Sequence, residues 1–366
     1  MLALFRFPIA VSVIGIVVAG IIGGPSIAAL VAILAVLEVS LSFDNAVVNA
    51  TVLQRMDERW QRIFLTVGIL IAVFGMRLIF PLLVVTITSH LNPVDVLNLA
   101  LNHPADYARF LTAAHPAIAA FGGVFLLMIF LDFIFEVRDV TWLTLIERPL
   151  AKVGKLDQFS VILALAFLIV AATTFAAPHA YQVLVAGAAG LATYVAVSSL
   201  SALFEGNEDE QGGSAVAGAG DDAAPQVRVP ASLARAGLFT FLYLEVLDAS
   251  FSFDGVVGAF AVTDKIFVIA LGLGIGACYI RALTVFLVRR GTLAEYVHLE
   301  HGAHWAIGAL AALLFITIRT DVPQLVTGLI GVGFIGAALL SSIVHKRRGG
   351  DDEVHEAPAD AVRAST

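Results

Sequence analysis

The chain has 366 residues, 59% of them hydrophobic and only 14% charged, with a mean hydropathy of +0.93 and a net charge of −8. A soluble domain carries about 25% charged and about 45–50% apolar residues, so a single water-soluble core is excluded, and nothing basic and aromatic enough for nucleic acid is present. One cysteine, Cys278, excludes an internal disulfide framework and any cysteine-rich metal or cluster site.

The apolar excess is arranged in runs. A bilayer span needs about 20 largely apolar residues, and backbone groups in lipid must be satisfied within the segment, so such runs read as helices. About ten candidate spans follow along the chain, near residues 7–23, 26–53, 63–89, 116–136, 159–177, 183–204, 233–262, 266–288, 304–318 and 324–344. The first has a single basic residue, Arg6, ahead of it and no clear small-x-small cleavage site before a soluble domain, so it reads as an uncleaved span. Residues 1–204 form a first transmembrane half, with 92–115 as a loop, and 232–345 form a second. Glu205 to Ala231, rich in Gly, Ala and acid and free of aromatics, reads as a disordered cytoplasmic linker. Residues 346–366 read as a polar cytoplasmic tail. With the N-terminus inside and ten spans, inside segments hold sixteen Lys and Arg residues and outside segments only Arg109, Lys265 and Arg319. That bias places both termini in the cytoplasm of a multi-pass cell-membrane protein.

The two halves repeat. Glu38 to Asp44 (EVSLSFD) and Asp248 to Asp254 (DASFSFD) share acid, serine, serine and acid at spacings of two. Gly68 and Arg77 pair with Gly272 and Arg281, nine residues apart in both, and a 28-residue block from Ala105 matches one from Ala294 and ends on Asp132 and Asp321. Three consecutive spans are repeated in order, near 26–136 and 233–321. The second copy starts five spans after the first, an odd offset, so the copies are expected to cross in opposite directions. Inverted repeats of this kind typify secondary transporters. The expected fold is therefore an all-α polytopic membrane protein with an inverted internal repeat of at least three helices.

Intramembrane carboxylates are costly, about 2.5–3.5 kcal/mol each on insertion scales. Glu38, Asp44, Glu245, Asp248 and Asp254 all fall within spans, beside Ser40, Ser42, Asn45, Asn49, Ser250 and Ser252. On a regular helix Glu38, Ser42, Asn45 and Asn49 share one face, and Ser40 with Asp44 another. Either two neighbours are addressed, or the helix unwinds around Ser42 to Asn45; in the second copy Gly255 makes unwinding reasonable. A purely structural alternative has the acids hold helices together through Arg77 and Arg281. Two arginines do not neutralise five carboxylates, however, so a mobile cation or proton is the natural balance. Oxygen ligands without His or Cys suit a hard divalent ion such as Mn²⁺, Mg²⁺ or Ca²⁺. Arg77 and Arg281 then tune carboxylate charge and position. Asp132 and Asp321 are candidate gates or counter-charges. His115 and His304 are weaker candidates, more often interfacial hydrogen-bonders than ligands. His298, His301 and His304 with Glu295 and Glu300 form a loop cluster that the first copy does not reproduce. No nucleophile elbow, nucleotide loop or zinc-protease motif stands out, and Ser42 and Ser252 have no histidine beside them within the span, so no enzyme is expected.

The segment Leu41 to Val47 (LSFDNAV) resembles the first conserved block of the TerC family of integral membrane proteins. Ser252 to Thr263 (SFDGVVGAFAVT), leading to Ile280 to Leu283 (IRAL), resembles the second. The family belongs with LysE-type exporters, takes its name from tellurium resistance, and has members associated with manganese efflux. The resemblance implies an exporter of Mn²⁺ or a similar ion, with Asp44 and Asp254 as ion-site residues and Asn45 alongside. Where the family usually has Ser-Ile-Pro after the second aspartate this chain has Gly255, Val256 and Val257, which marks a divergent branch.

The expectation is a divalent-cation exporter running by proton antiport. Asp44 and Asp254 coordinate the ion, Glu38 and Asp248 act as second ligands or proton carriers, and Ser42, Ser252, Asn45 and Asn49 supply neutral oxygens. The metal is cargo, with no permanently bound cofactor; the bilayer is the constant partner, and a homo-oligomer is admitted. The rival from another class is a membrane scaffold that helps other proteins assemble or acquire metal.

Overall fold

The computed structural model describes residues 2–54, 56–138, 140–154, 158–174, 176–211, 231–260, 262–263, 265–289, 296–320 and 322–355, with the backbone alone at 2–3, 41, 65, 201–211, 231–236, 253–254, 257, 324 and 348–355. Among these residues every regular element is helical. In chain order they are α1 (Leu2–Leu41), α2 (Phe43–Leu53), α3 (Glu58–Leu70), a π-helical segment (Ile71–Ile79), α4 (Phe80–Ser89), α5 (Pro93–Asn102), α6 (Pro104–Phe135), α7 (Thr144–Val153) and α8 (Phe159–Thr174). A short 3-10 turn (Ala177–His179) leads into α9 (Ala180–Gln211), followed by α10 (Ala231–Phe260), α11 (Ile266–Arg289), α12 (Leu299–Thr317) and α13 (Gln324–His355).

Seven helices among the described residues are long and apolar enough to cross a bilayer, and α8 is apolar but shorter. The chain is thus a polytopic α-helical membrane protein. Its outer surface carries side chains such as Val13, Ile21, Ile22, Leu70 and Leu329, all more than half exposed, as a lipid-facing surface requires. Several bounds differ from the sequence expectation. The stretch 92–115 is helical, because Asn92 caps α5 by accepting from the Val94 N–H, and Pro93 and Pro104 each stand in a first turn that loses nothing by lacking a donor. Helix α9 continues to Gln211 and α13 to His355, beyond the expected ends at 204 and 345; Glu, Gln, Lys and Arg are good helix formers and carry the ladder past the apolar run. The central part of the expected linker, 212–230, and the last residues of the tail lie outside the described residues.

Helix α1 is a hairpin rather than one rod. Gly24 has φ 81° and ψ 177°, a conformation that only glycine adopts without strain, and the chain reverses there. Both arms pack on α11, in opposite directions. In the first arm Ser12 donates to the Tyr279 hydroxyl and Gly15 lies against Ile275 and Leu271. In the second arm Leu34 lies against Gly272 and Glu38 against Gly276, so the numbers now rise together. Gly20 on one arm faces Ala28 on the other. Two separate spans were expected here, near 7–23 and 26–53, and the turn falls between them.

Contacts between the halves run antiparallel wherever equivalent helices meet. Asn45 reaches Asp248 while Gly255 meets Glu38, so α1–α2 and α10 run opposite. Arg77 reaches the Leu273 carbonyl while Gly68 and Phe64 meet Arg281, so the α3–π segment and α11 run opposite. Gly123 meets Phe315 and Phe130 meets Trp305, and Arg138 pairs with Glu300, so α6 and α12 do the same. One apolar core, containing Phe125, Leu126, Leu168, Leu244 and Phe315, joins α6, α8, α9, α10 and α12; a second, around Leu34, Val96, Tyr107 and Leu273, joins α1, α5, α6 and α11.

The hairpin yields a test. Nothing lies within 4 Å of a Cβ added at Gly24 or at Gly333, but only Gly24 has positive φ. Gly24→Ala should lower the thermal midpoint of the detergent-solubilised protein, by a strain of about 1–3 kcal/mol. Gly333→Ala should leave the midpoint unchanged or raise it, since alanine is the better helix former.

Candidate functional site

The first acidic motif sits at an interruption. Ser42, with φ −101° and ψ 19°, stands between α1 and α2. Its N–H still bonds to the Glu38 carbonyl at 2.9 Å, so the break is one residue wide rather than an unwound stretch. Even so, it separates two residues that a regular helix would place together: Ser40 is exposed and bonds back to the Val36 carbonyl, whereas Asp44 is buried. The second motif differs from expectation, for α10 runs unbroken through Gly255. Gly255 instead serves close approach, because a Cβ there would lie 3.0 Å from Glu38 Oε2.

Each half holds one buried arginine against its own acids. Arg77 donates through Nη2 to Glu38, through Nε to the Leu273 carbonyl at 3.1 Å and through Nη1 to the Ala72 carbonyl at 2.6 Å. It is carried by the π-helical segment, and Pro81 explains the wider turn: having no N–H, it leaves the Arg77 carbonyl without its usual partner. Arg281 contacts Glu245 at 3.4 Å and Asp248 at 3.3 Å, with its guanidinium 3.8 Å from the centre of the Phe64 ring. It is only 1% exposed, the largest fully buried side chain described. Arg77 and Arg281 thus each lie against buried acids of their own half, the pairing that the purely structural alternative also requires.

Asn45 ties the motifs together, donating through Nδ2 to Asp248 Oδ1 at 2.9 Å. Around this bond several buried atoms have no hydrogen-bond partner among the described residues: Asn45 Oδ1, both amide atoms of Asn49, Ser252 Oγ, Glu245 Oε2 and Arg281 Nη1. A buried polar group left unsatisfied costs about 1–3 kcal/mol, so the described side chains make this crossing a costly one. A cavity of about 390 Å³ reaches the first motif, lined by Glu38, Ser42, Asp44, Phe251, Gly255 and His115 among others. It extends past Thr112, His179 and Thr317, toward the membrane face where α6 begins and α12 ends. Glu245 and Asp248 do not line it.

Two features escaped sequence reasoning. Gly331 on α13, outside the repeat, packs so closely on Asp44 that a Cβ would fall 2.3 Å from Oδ2. Its signal is the run from Gly328 to Gly336 (GLIGVGFIG), with glycines three, five and eight residues after the first. The second is the π-helical segment, signalled by Gly75 and Pro81.

The remaining candidates lie elsewhere. The Asp254 side chain and Asp321 are outside the described residues. Asp132 accepts from the Tyr194 hydroxyl at 2.6 Å, joining α6 to α9 away from the acidic crossing. His304 stacks on Phe133, and His298 meets Ser341 and Ser342, at the opposite face from the cavity. Among the described residues no three His, Cys, Asp or Glu side chains gather into a metal-holding group.

The chain matches the family model described as "Protein of unknown function (DUF475)" over residues 43–349 and belongs to that family. The matched region takes in Asp44, Arg77, both acids beside Arg281, and Gly331. No curated protein and no solved structure matches the chain.

The Arg77–Glu38 pair predicts a rescue. Removing one partner of a buried ion pair costs about 3–5 kcal/mol, because the other charge is left uncompensated. Arg77→Met should therefore lower the thermal midpoint sharply, and adding Glu38→Gln should restore part of it. An Arg77→Met protein as stable as the parent would show that the pair does not hold this crossing together.

Proposed function

We propose that the protein is a TerC-like exporter of a hard divalent cation, Mn²⁺ foremost, working by alternating access between two inverted three-helix repeats. The observation that carries the proposal is the position of Glu38, Ser42 and Asp44, which line a cavity where the two motif helices cross antiparallel. All three pairs of equivalent helices cross in opposite directions, which supports an inverted repeat. Ten spans fit the same elements: the two arms of α1 count separately, α10 crosses with Glu245 and Asp248 buried, and α8 crosses as a short span.

Charge supports a cation or proton as cargo. Glu38, Asp44, Glu245 and Asp248 are buried with only Arg77 and Arg281 to oppose them, so two formal negative charges remain among the described side chains. One divalent ion or two protons balance that deficit. A carboxylate that binds either species couples them by competition, which is the basis of the proposed proton antiport. The ligand set is mixed, with carboxylates of Asp44 and Glu38, the Ser42 hydroxyl, and amide oxygens of Asn45 and Asn49 at the crossing. Asp254 joins by its place in the motif. An oxygen set of this kind suits Mn²⁺ or Mg²⁺, and a site short of a three-acid cage suits an ion that has to leave again.

Manganese content in cells expressing the chain, against an Asp44→Asn/Asp254→Asn variant at matched membrane abundance, tests the proposal. Lower manganese with the parent, lost in the variant, is expected. No difference for manganese, magnesium or calcium sinks export and leaves a scaffold as the better account. A second variant probes the same site from outside the motif. Gly331→Ala thrusts a methyl into the Asp44 carboxylate and should abolish export, while Gly333→Ala, in open space two residues on, should retain it.

A further inference from the structure

At the opposite end of α6 and α12 from the acidic cavity lies a second cavity of about 300 Å³, walled by Phe133, Glu136, Arg138, Arg148, Lys152 and His301 with others. Its floor is α7, a ten-residue helix too short to span a bilayer. That helix is amphipathic in an unusual sense. Leu145 is 93% exposed, with Ile146 and Val153 also exposed, while Arg148 and Lys152, one turn apart, face the cavity. Exposed apolar side chains next to basic ones mark a helix lying in the headgroup layer.

The described acids in this region, Glu136, Glu147 and Glu300, are already engaged. Glu147 is buried and accepts from the Trp142 N–H at 2.9 Å and the Trp305 indole at 3.0 Å, with His301 at 3.2 Å. Burial alone would raise its pKa, but the Trp305 hydrogen bond, the His301 charge and the backbone N–H groups of Leu143 and Trp142 outweigh it and hold the carboxyl below its ordinary value. Glu136 and Glu300 are both taken by Arg138, whose guanidinium also lies over the Phe133 ring at 4.0 Å. Two unmet demands are left. Arg138 Nε is buried without a hydrogen-bond partner, and neither Arg148 nor Lys152 has an ion-pair partner among the described residues.

We propose that this cavity binds the phosphate headgroup of an anionic glycerophospholipid, with Arg148 and Lys152 opposing its charge and its acyl chains lying along Leu145 and Ile146. A free phosphate offers the same anion but gives the exposed apolar residues nothing to meet. Basic pockets between transmembrane helices on the cytoplasmic side are a recurrent form of headgroup site, and the Lys and Arg bias puts this end of the molecule there. The bound lipid would bridge α6, α7 and α12 at the Arg138–Glu300 contact, far from the acidic crossing.

The test uses the full chain in a neutral detergent, with thermal unfolding followed as phosphatidylglycerol, phosphatidylcholine or inorganic phosphate is added. Phosphatidylglycerol should raise the midpoint by several degrees in a concentration-dependent way, as a ligand of the folded state does; the other two should not. Arg148→Gln/Lys152→Gln should start from the parental midpoint, since both side chains are exposed, and should lose the shift. Arg59→Gln/Arg62→Gln, which removes an exposed basic pair elsewhere, should keep it. An equal shift from phosphatidylcholine, a full shift from inorganic phosphate, a shift retained by the α7 variant, or equal loss in both variants would each overturn the proposal. Native mass spectrometry of lipid carried through purification gives a readout independent of stability: phosphatidylglycerol adducts on the parent should fall on the α7 variant, and equal retention would overturn the site.

Discussion

Charge burial in a medium without water is the constraint on which the rest of this structure depends. An arginine or carboxylate at membrane depth is tolerated only when it finds partners, and here each half meets the requirement in the same way. The arginine of the second repeat helix reaches back to the acids of the first, Arg77 to Glu38 and Arg281 to Glu245 and Asp248. Each arginine then takes one contact from the other half, the Leu273 carbonyl for Arg77 and the Phe64 ring for Arg281. The ion pairs thus belong to single halves while their surroundings are shared, which locks the two halves into register.

Such sharing requires helices to approach closely, and glycine supplies the space. Gly276 admits the Glu38 side chain, Gly68 admits Glu245 and Arg281, Gly255 admits the far oxygen of Glu38, and Gly331 admits Asp44. Without hydrophobic drive between helices in lipid, packing of small residues and polar contact are what hold a bundle. At these positions the same glycine serves both, since the gap left by its missing side chain is filled by a carboxylate or guanidinium. That is why an added methyl is expected to act on the charge network rather than on packing alone.

Much of this was legible in the sequence because it depends on local patterns. Run lengths marked the helices, the spacing of Gly24 and Pro25 between two apolar runs matched the hairpin, and the repeated EVSLSFD and DASFSFD segments held three of the buried acids, Glu38, Asp44 and Asp248. The Asn45–Asp248 bond needed only that both motifs meet. What escaped is non-local. That Gly331 abuts Asp44 depends on how a helix outside the repeat packs, and glycine-rich stretches occur in many membrane helices without touching an acid. The helical character of 92–115 was marked by Asn92, Pro93 and Pro104, but its polarity read as a loop. The different fates of Ser42 and Gly255 also could not be ranked from sequence, because a break between α1 and α2 and a close approach at α10 depend on how the helices pack around Glu38.

That difference bears on the proposed transport cycle. In two equivalent halves the motifs would be interchangeable, yet here one helix is interrupted at Ser42 and Glu38 and Asp44 line a cavity, while α10 is continuous and Glu245 and Asp248 pair with Arg281 away from that cavity. Under the proposed inverted repeat this asymmetry has a direction: the cavity extends toward the face where α6 begins and α12 ends, and exchanging the conformations of the halves would turn it toward the other. The unpartnered atoms of Asn45, Asn49 and Ser252 lie between the two motifs, on the elements that such an exchange would have to move past each other. In the proposed cycle their missing hydrogen bonds would lower the cost of leaving this arrangement, because a fully satisfied polar network rigidifies a single state. A transporter has to visit two. In the proposed cycle, the same polar residues that make the crossing imperfect as a core are those that an exchange of access would use.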